Sequence, residues 1–208
     1  SFANYFDPNH MGVSDLRVIN EDWIAPGMGF GQHPHKDMEI VTYVIDGAIK
    51  HRDSMGNEGV VRHGEIQYMS AGTGISHSEF NNSHEKEAHS LQIWILPDRR
   101  GHNPNYGQVS YTERLSPNEL CLLISEDGRE GSIKVNQRVS LYTIRLEFEK
   151  TISYSLDPNR QAWLQMIRGV LNANGEALSA GDGLHVKGEE QIHMKALESS
   201  EFLLFDLR

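Results

Sequence analysis

One cysteine in 208 residues, Cys121, excludes an internal disulfide. It stands in the apolar run Leu120–Ile124, where a buried and inert thiol is expected. No apolar run approaches the ~20 residues that a membrane-spanning helix needs, so no membrane role is expected. Positive charge is scarce as well. Against 29 acidic residues stand 19 lysines and arginines, for a formal net charge of −10. Such a surface repels a phosphate backbone, so direct nucleic-acid binding is not expected. No signal peptide is visible, and with one cysteine a reducing cytoplasm is the expected location. Helix-period stretches are rare too. Short β-branched and aromatic runs broken by Gly, Asn and Asp take their place, which predicts an all-β chain.

At 208 residues, 38% of them hydrophobic, the chain can build one large β domain or two small ones. Strands are predicted at 16–20, 39–45, 48–52, 60–62, 66–69 and 91–96. A second set is predicted at 120–124, 139–148, 162–170 and 202–207. Asp46-Gly47 reads as a hairpin turn between two of them. The Gly-rich 25–31 reads as an approach to the histidines, and 71–74 as a tight turn delivering His77. The polar 81–87 is expected to be a solvated loop. The loop-rich stretch from about 97 to 118 divides the chain, with domains expected at 1–110 and 111–208. The halves look related. Ile167-Arg168-Gly169-Val170 echoes Val44-Ile45-Asp46-Gly47, and Ala180-Gly181-Asp182 echoes His63-Gly64-Glu65. The second half has no His-x-His, and its His185 and His193 are isolated. The chain opens at Ser1 in what reads as structured sequence (Ser1–Phe6), so an upstream segment is expected.

Eleven histidines become informative only through spacing. His33 and His35 lie two apart, so on a strand they face the same way. His77 and Glu79 repeat that spacing after a Gly-rich turn. Two such pairs on facing strands can aim three imidazoles and one carboxylate at one divalent ion, leaving positions for exchangeable ligands. With no cysteine nearby, an open catalytic site is favoured over a closed structural zinc site. Glu39 is a rival carboxylate; if it ligates, Glu79 becomes a supporting group or a base. Met28, Phe30, Gln32, Met69 and Phe80 are candidate pocket walls. His10, His51, His63, His84, His89 and His102 read as surface or hydrogen-bonding residues, and Trp94 and Trp163 as core.

At these residues the chain resembles the cupin superfamily. Gly27-x5-His33-x-His35-x3-Glu39 with Gly47 follows the first cupin motif, one residue long at its end, and Gly74-x2-His77-x3-Asn81 looks like the end of the second. More specifically it is similar to the pirin family. The features are His33-Pro34-His35-Lys36-Asp37-Met38-Glu39, then Met69-Ser70-Ala71-Gly72-Thr73-Gly74-Ile75-x-His77-Ser78-Glu79, then Leu91-Gln92-Ile93-Trp94-Ile95. Segments 2–6, 54–57 and 203–207 resemble the bacterial branch that acts as quercetinases. The resemblance implies a bicupin, two β-barrels with metal in the first and no metal ligands in the second. It places the ligands at His33, His35, His77 and Glu79, with Glu39 outside the set. Fe(II) is the metal first expected, with Cu, Ni, Co, Mn or Zn as alternatives. It implies a quercetin 2,3-dioxygenase that uses dioxygen to open a flavonol's heterocyclic ring with release of carbon monoxide, Glu79 accepting the 3-hydroxyl proton. The alternatives are a metal- or redox-sensing regulator that binds a protein partner, and other cupin chemistry such as sugar isomerisation, since a fold does not fix a substrate. The resemblance also implies a further strand ahead of Ser1.

Overall fold

The computed structural model describes Asp7, Pro8 and residues 11–208; the expected ordered segment at 1–6 and His10 lie outside the described residues. Nearly every element is a strand, and the chain divides into two compact units. One runs to Thr112 and takes in Val135–Gln137; the other holds Glu113–Lys134 and Arg138–Arg208.

The first unit contains β1 (Leu16–Ile24), β2 (Gly29–His35), β3 (Glu39–Asp46), β4 (Ala48–Asp53), β5 (Glu58–Arg62), β6 (Glu65–Ser70), β7 (Ile75–Asn81), β8 (Ala88–Ile95) and β9 (Asn105–Ser110). They form two antiparallel sheets, ordered β1-β8-β3-β6-β9 and β2-β7-β4-β5. The second unit contains β10 (Leu120–Ser125), β11 (Ile133–Lys134), β12 (Ser140–Leu146), β13 (Thr151–Ser155), β14 (Gln161–Arg168), β15 (Val170–Ala173), β16 (Glu176–Ser179), β17 (Gly183–Lys187), β18 (Gln191–Ala196) and β19 (Ser200–Leu207). Its sheets are ordered β11-β10-β12-β19-β14-β17 and β13-β18-β15-β16.

Asp46-Gly47 is not the expected hairpin turn. β3 and β4 lie in different sheets, so the chain turns a corner there rather than folding back on itself. Gly47 makes the corner at φ 77°, which costs glycine little. Gly169, at φ 78°, carries the chain from β14 to β15 in the same way. The halves are indeed related, but the shared device is a corner. The stretch expected to be loop contains β9, paired with β6 from Glu65↔Ser110 to Ser70↔Asn105. The last three residues of the Gly-rich approach, 29–31, already belong to β2. β13 and β18 also went unpredicted; their apolar residues alternate with polar ones over only five or six positions.

Interior packing differs along β3. Ile40 belongs to one apolar cluster with Met69, Ala71 and Ile75. Val44 belongs to another, with Ile24, Ile49, Val61 and Ala88. On the same face between them stands Thr42, paired with Gln67 on β6 and Gln92 on β8, all three buried. A row of polar side chains thus interrupts the core of the first unit. Among the described residues no helix is long and apolar enough to cross a membrane.

Candidate metal centre

Adjacent strands β2 and β7 supply the first donors. Their register sets His33 opposite His77, with a bulge between Phe30 and His33 that resets the pairing. The two pairs lie on neighbouring strands of one sheet, not on opposed sheets. Three rings converge: centroids are 4.8 Å apart for His33–His35, 4.4 Å for His33–His77 and 4.9 Å for His35–His77. His33 Nε2 and His77 Nε2 stand 3.0 Å apart. His33 Nδ1 lies 2.8 Å from the Gly31 carbonyl, so Nδ1–H donates there and the Nε2 lone pair turns toward the other two rings. His35 Nε2 is buried with no hydrogen-bond partner.

Glu79 lies two residues past His77 and opposite Phe30 and His51. Its carboxylate is held from the other sheet. Thr42 Oγ1 donates to Oε1 at 3.1 Å, and Gln92 Nε2 donates to Oε2. The Gln92 amide is itself oriented, because Trp94 Nε1 donates to its Oε1 at 3.0 Å. Trp94 also meets the His35 ring edge-on at 5.0 Å. One chain of contacts therefore runs from Glu79 through Gln92 and Trp94 to His35.

Electrostatics favour uncharged rings. Burial, then the neighbouring His33, holds His35 at about 4, and burial with the surrounding imidazoles holds His77 at about 2. Burial pushes the Glu79 carboxyl up, against the lowering effect of Thr42 and Gln92. Neutral imidazoles with free lone pairs beside a carboxylate are the donor set of a first-row divalent metal. The residues present fit such an ion: donor atoms of His33, His35 and His77 lie within 4.8 Å of one another, and His35 Nε2 is buried with no other partner.

Glu39 does not enter this cluster. It is buried on β3 and accepts from Tyr68 Oη, from Ser70 Oγ at 2.7 Å and from the Asn136 backbone N–H at 3.1 Å. His51, expected to be a surface or hydrogen-bonding residue, is 0% exposed and brings its ring within 5.3 Å of His77. Its donor atom groups with those of His77 and Glu79 within 4.8 Å. A lone histidine in His51-Arg52-Asp53 carries no signal of this, because β4 alternates buried and exposed residues like any half-buried strand. Thr42 and Gln92 were missed for a related reason, since their partner lies on the opposite sheet. Of the expected walls, Phe30 is 42% exposed opposite Glu79, Phe80 packs over Gly29, and Met69 belongs to the apolar core. Met28 and Gln32 are exposed. Trp94 and Trp163 are half-buried, and Trp94 packs against the apolar cluster of Ile40, Met69, Ala71 and Ile75. Of the remaining histidines expected to be peripheral, His89 bonds Glu21 at 2.8 Å and His102 bonds Asp98 at 2.6 Å. His185 and His193 engage Gln161 and Ser153.

Two sheet-rich barrels and one histidine-lined interior define a bicupin. Comparison with known proteins agrees. The pirin family profile matches residues 1–95, and that of the quercetinase C-terminal cupin domain matches residues 122–207. The chain is 48% identical over 207 residues to the quercetin 2,3-dioxygenase of Escherichia coli (strain K12), covering 100% of this chain and 88% of that one. It superposes on the crystal structure of YhhW from Escherichia coli with a TM-score of 0.96 at 47% identity, covering 100% of this chain and 88% of that one. Against the crystal structure of bacterial pirin YhhW in complex with nickel(II), from the same organism, the TM-score is 0.94 at 47% identity with the same coverage. The chain belongs to the pirin family, in its quercetinase-like bacterial branch.

Proposed function

We propose that the protein is a flavonol dioxygenase of the quercetinase type, with one divalent metal held by His33, His35, His77 and Glu79 and none in the second barrel. The observation that carries this reading is the convergence of the His33, His35 and His77 rings, with the Glu79 carboxylate that groups with His77 fixed from the opposite sheet. The relative named quercetin 2,3-dioxygenase supports the choice of substrate class. Bound there, the ion supplies Lewis acidity toward the substrate oxygen and an electron path to dioxygen.

The chain supplies the rest. Glu79 takes the 3-hydroxyl proton of the flavonol on a carboxylate oxygen. Thr42 and Gln92 keep that carboxylate from rotating away. Phe30, exposed and paired with Glu79 across the strands, offers an apolar edge against which a flat aromatic substrate can lie. Quercetin and dioxygen are consumed together, and ring opening yields a depside and carbon monoxide.

The test is aerobic turnover of quercetin by protein loaded with each of Fe(II), Ni, Co, Cu, Mn and Zn, read as loss of flavonol absorbance and release of carbon monoxide. Turnover with at least one metal, lost in the double variant His33→Ala/His77→Ala, is expected. Activity that persists in the double variant, or none with any metal, overturns the assignment.

A further inference from the structure

We propose that His51 is a positioning residue of this metal centre: it accepts the Nδ1 proton of His77 and passes its own ring proton to Asp53. The inference rests on the metal centre proposed above.

His33 shows what such a ligand requires. Its outward Nδ1–H has an acceptor in the Gly31 carbonyl, and this fixes both the tautomer and the ring. A histidine that ligates through one nitrogen almost always gives its other N–H to an acceptor, and loss of that acceptor loosens the metal. His77 directs Nε2 at His33, where the ion would sit, and an Nε2 that ligates leaves the ring proton on Nδ1. That Nδ1 is buried and meets no acceptor at hydrogen-bond distance. No Glu79 oxygen lies within hydrogen-bond distance of it either.

His51 is placed to serve. It is fully buried, and neither of its ring nitrogens has a hydrogen-bond partner. Its ring is tilted 54° to that of His77. Its Nε2 stands 3.6 Å from Asp53 Oδ2, just beyond a hydrogen bond. Asp53 cannot swing away. The Met55 and Asn57 backbone N–H groups donate to its Oδ1 and the Asn57 side chain to its Oδ2, all at 2.9–3.0 Å. Across β4 and β7, Asp53 lies directly opposite His77 and His51 opposite Glu79. The Tyr106 ring, 5.1 Å away, limits the freedom of the His51 ring. Three buried nitrogens without partners, on two adjacent rings beside an anchored carboxylate, resolve into one relay. The proton of His77 goes to His51, and the proton of His51 points at Asp53.

Two measurements on the full chain test this. In the first, 15N-histidine protein is loaded with 113Cd(II) and read by NMR. Cadmium–nitrogen coupling is expected at His33, His35 and His77 and absent at His51, with a protected, downfield Nδ1–H at His77. In the second, cadmium affinity is measured by chelator competition. His51→Ala is expected to weaken binding roughly 10- to 100-fold, the range for loss of an outer partner. His51→Gln, whose amide can both accept and donate, is expected to recover most of that loss. Cadmium coupling to His51 itself overturns the proposal, because His51 is then a ligand. So does wild-type affinity in His51→Ala, or equal loss in both variants. If His51→Ala does not fold, the coupling map of the wild-type protein and the His51→Gln affinity decide. Absence of coupling at His33, His35 and His77 overturns the metal centre as well, and so separates the two failures.

Discussion

The two barrels share corners and bulges but not interiors. In the first, the pairing of β3 with β8 shifts register between Val44 and Asp46 and the chain turns at Gly47; in the second, the pairing of β14 with β19 shifts register between Met166 and Arg168 and the chain turns at Gly169. Aligned on these landmarks, Thr42 and its partner Gln92 correspond to Leu164 and its partner Leu204. Counting from the corners, His51 corresponds to Ala173, and the residues that follow in register, Glu79 and His77, correspond to Met194 and Ile192. All five counterparts lie in a single apolar cluster. Where His33 pairs with His77, Tyr154 pairs with Ile192; its hydroxyl donates to Asp206 at 2.6 Å, and Arg160 pairs with the same carboxylate. One backbone plan has been filled twice. The first filling gives up a continuous core for a donor cluster, and the second closes the equivalent space with hydrocarbon and a Tyr–Asp–Arg seal.

The largest test of that comparison rewrites the first interior as the second. The variant Thr42→Leu/Gln92→Leu/His51→Ala/His77→Ile/Glu79→Met is expected to lose nickel uptake entirely. Without metal it is expected to match or exceed the wild-type apo-protein by about 1–4 kcal/mol, since apolar packing often outperforms a buried ionic network. Calorimetry with elemental analysis reads both. The reverse intrusion is smaller. Leu204→Gln places an unpaired amide in the second core and is expected to cost about 2–5 kcal/mol in denaturant unfolding. Its mirror, Gln92→Leu, leaves Glu79 one donor short and Trp94 without its acceptor. It is expected to cost about 1.5–3 kcal/mol of carboxylate hydrogen bonding and to slow flavonol turnover. A weaker contrast lies at the corners. A Cβ on Gly169 would lie 2.3 Å from the Ser199 carbonyl oxygen, whereas one on Gly47 would lie 3.1 Å from its nearest neighbour, Ala88 Cα. Gly169→Ala is therefore expected to lower the melting temperature more than Gly47→Ala, with strain of about 1–3 kcal/mol.

A further difference is a pH dependence confined to the first interior. His35 and His77 are held at about 4 and about 2, while an unfolded imidazole titrates near 6.5. Below about pH 6.5 the unfolded chain takes up protons that these folded rings refuse, so their contribution to the stability of metal-free protein falls as pH drops toward 4. Their NMR shifts in metal-free protein are expected to stay flat between about pH 8 and about pH 5. Ile192 and Met194, at the matching positions, cannot titrate.

How much of this was legible in the sequence follows from range. His33-x-His35 and His77-x-Glu79 could be read because strand periodicity puts residues two apart on one face, and the Gly-rich turn before β7 marked where that strand starts. Most long apolar strands were legible for the same local reason. Glycine at 47 announced a change of direction but not its kind, because a corner and a hairpin both need a positive φ and differ only in which strands pair next. Thr42, Gln92 and His51 were illegible. Each acts across strands or sheets, and none differs in type from an ordinary residue of a half-buried strand. Glu39 stood open between two roles until Tyr68, Ser70 and Asn136 appeared around it, two of them supplied through pairing of β3 with β6 and one from a distant loop.

The central claim concerns where one ion sits. Anomalous diffraction from a nickel-soaked crystal of the full chain tests it most directly. The account predicts a single strong peak per chain, within bonding distance of His33, His35, His77 and Glu79, with no peak among Ala173, Ile192 and Met194. A peak in the second barrel, or none among those four side chains, would contradict it.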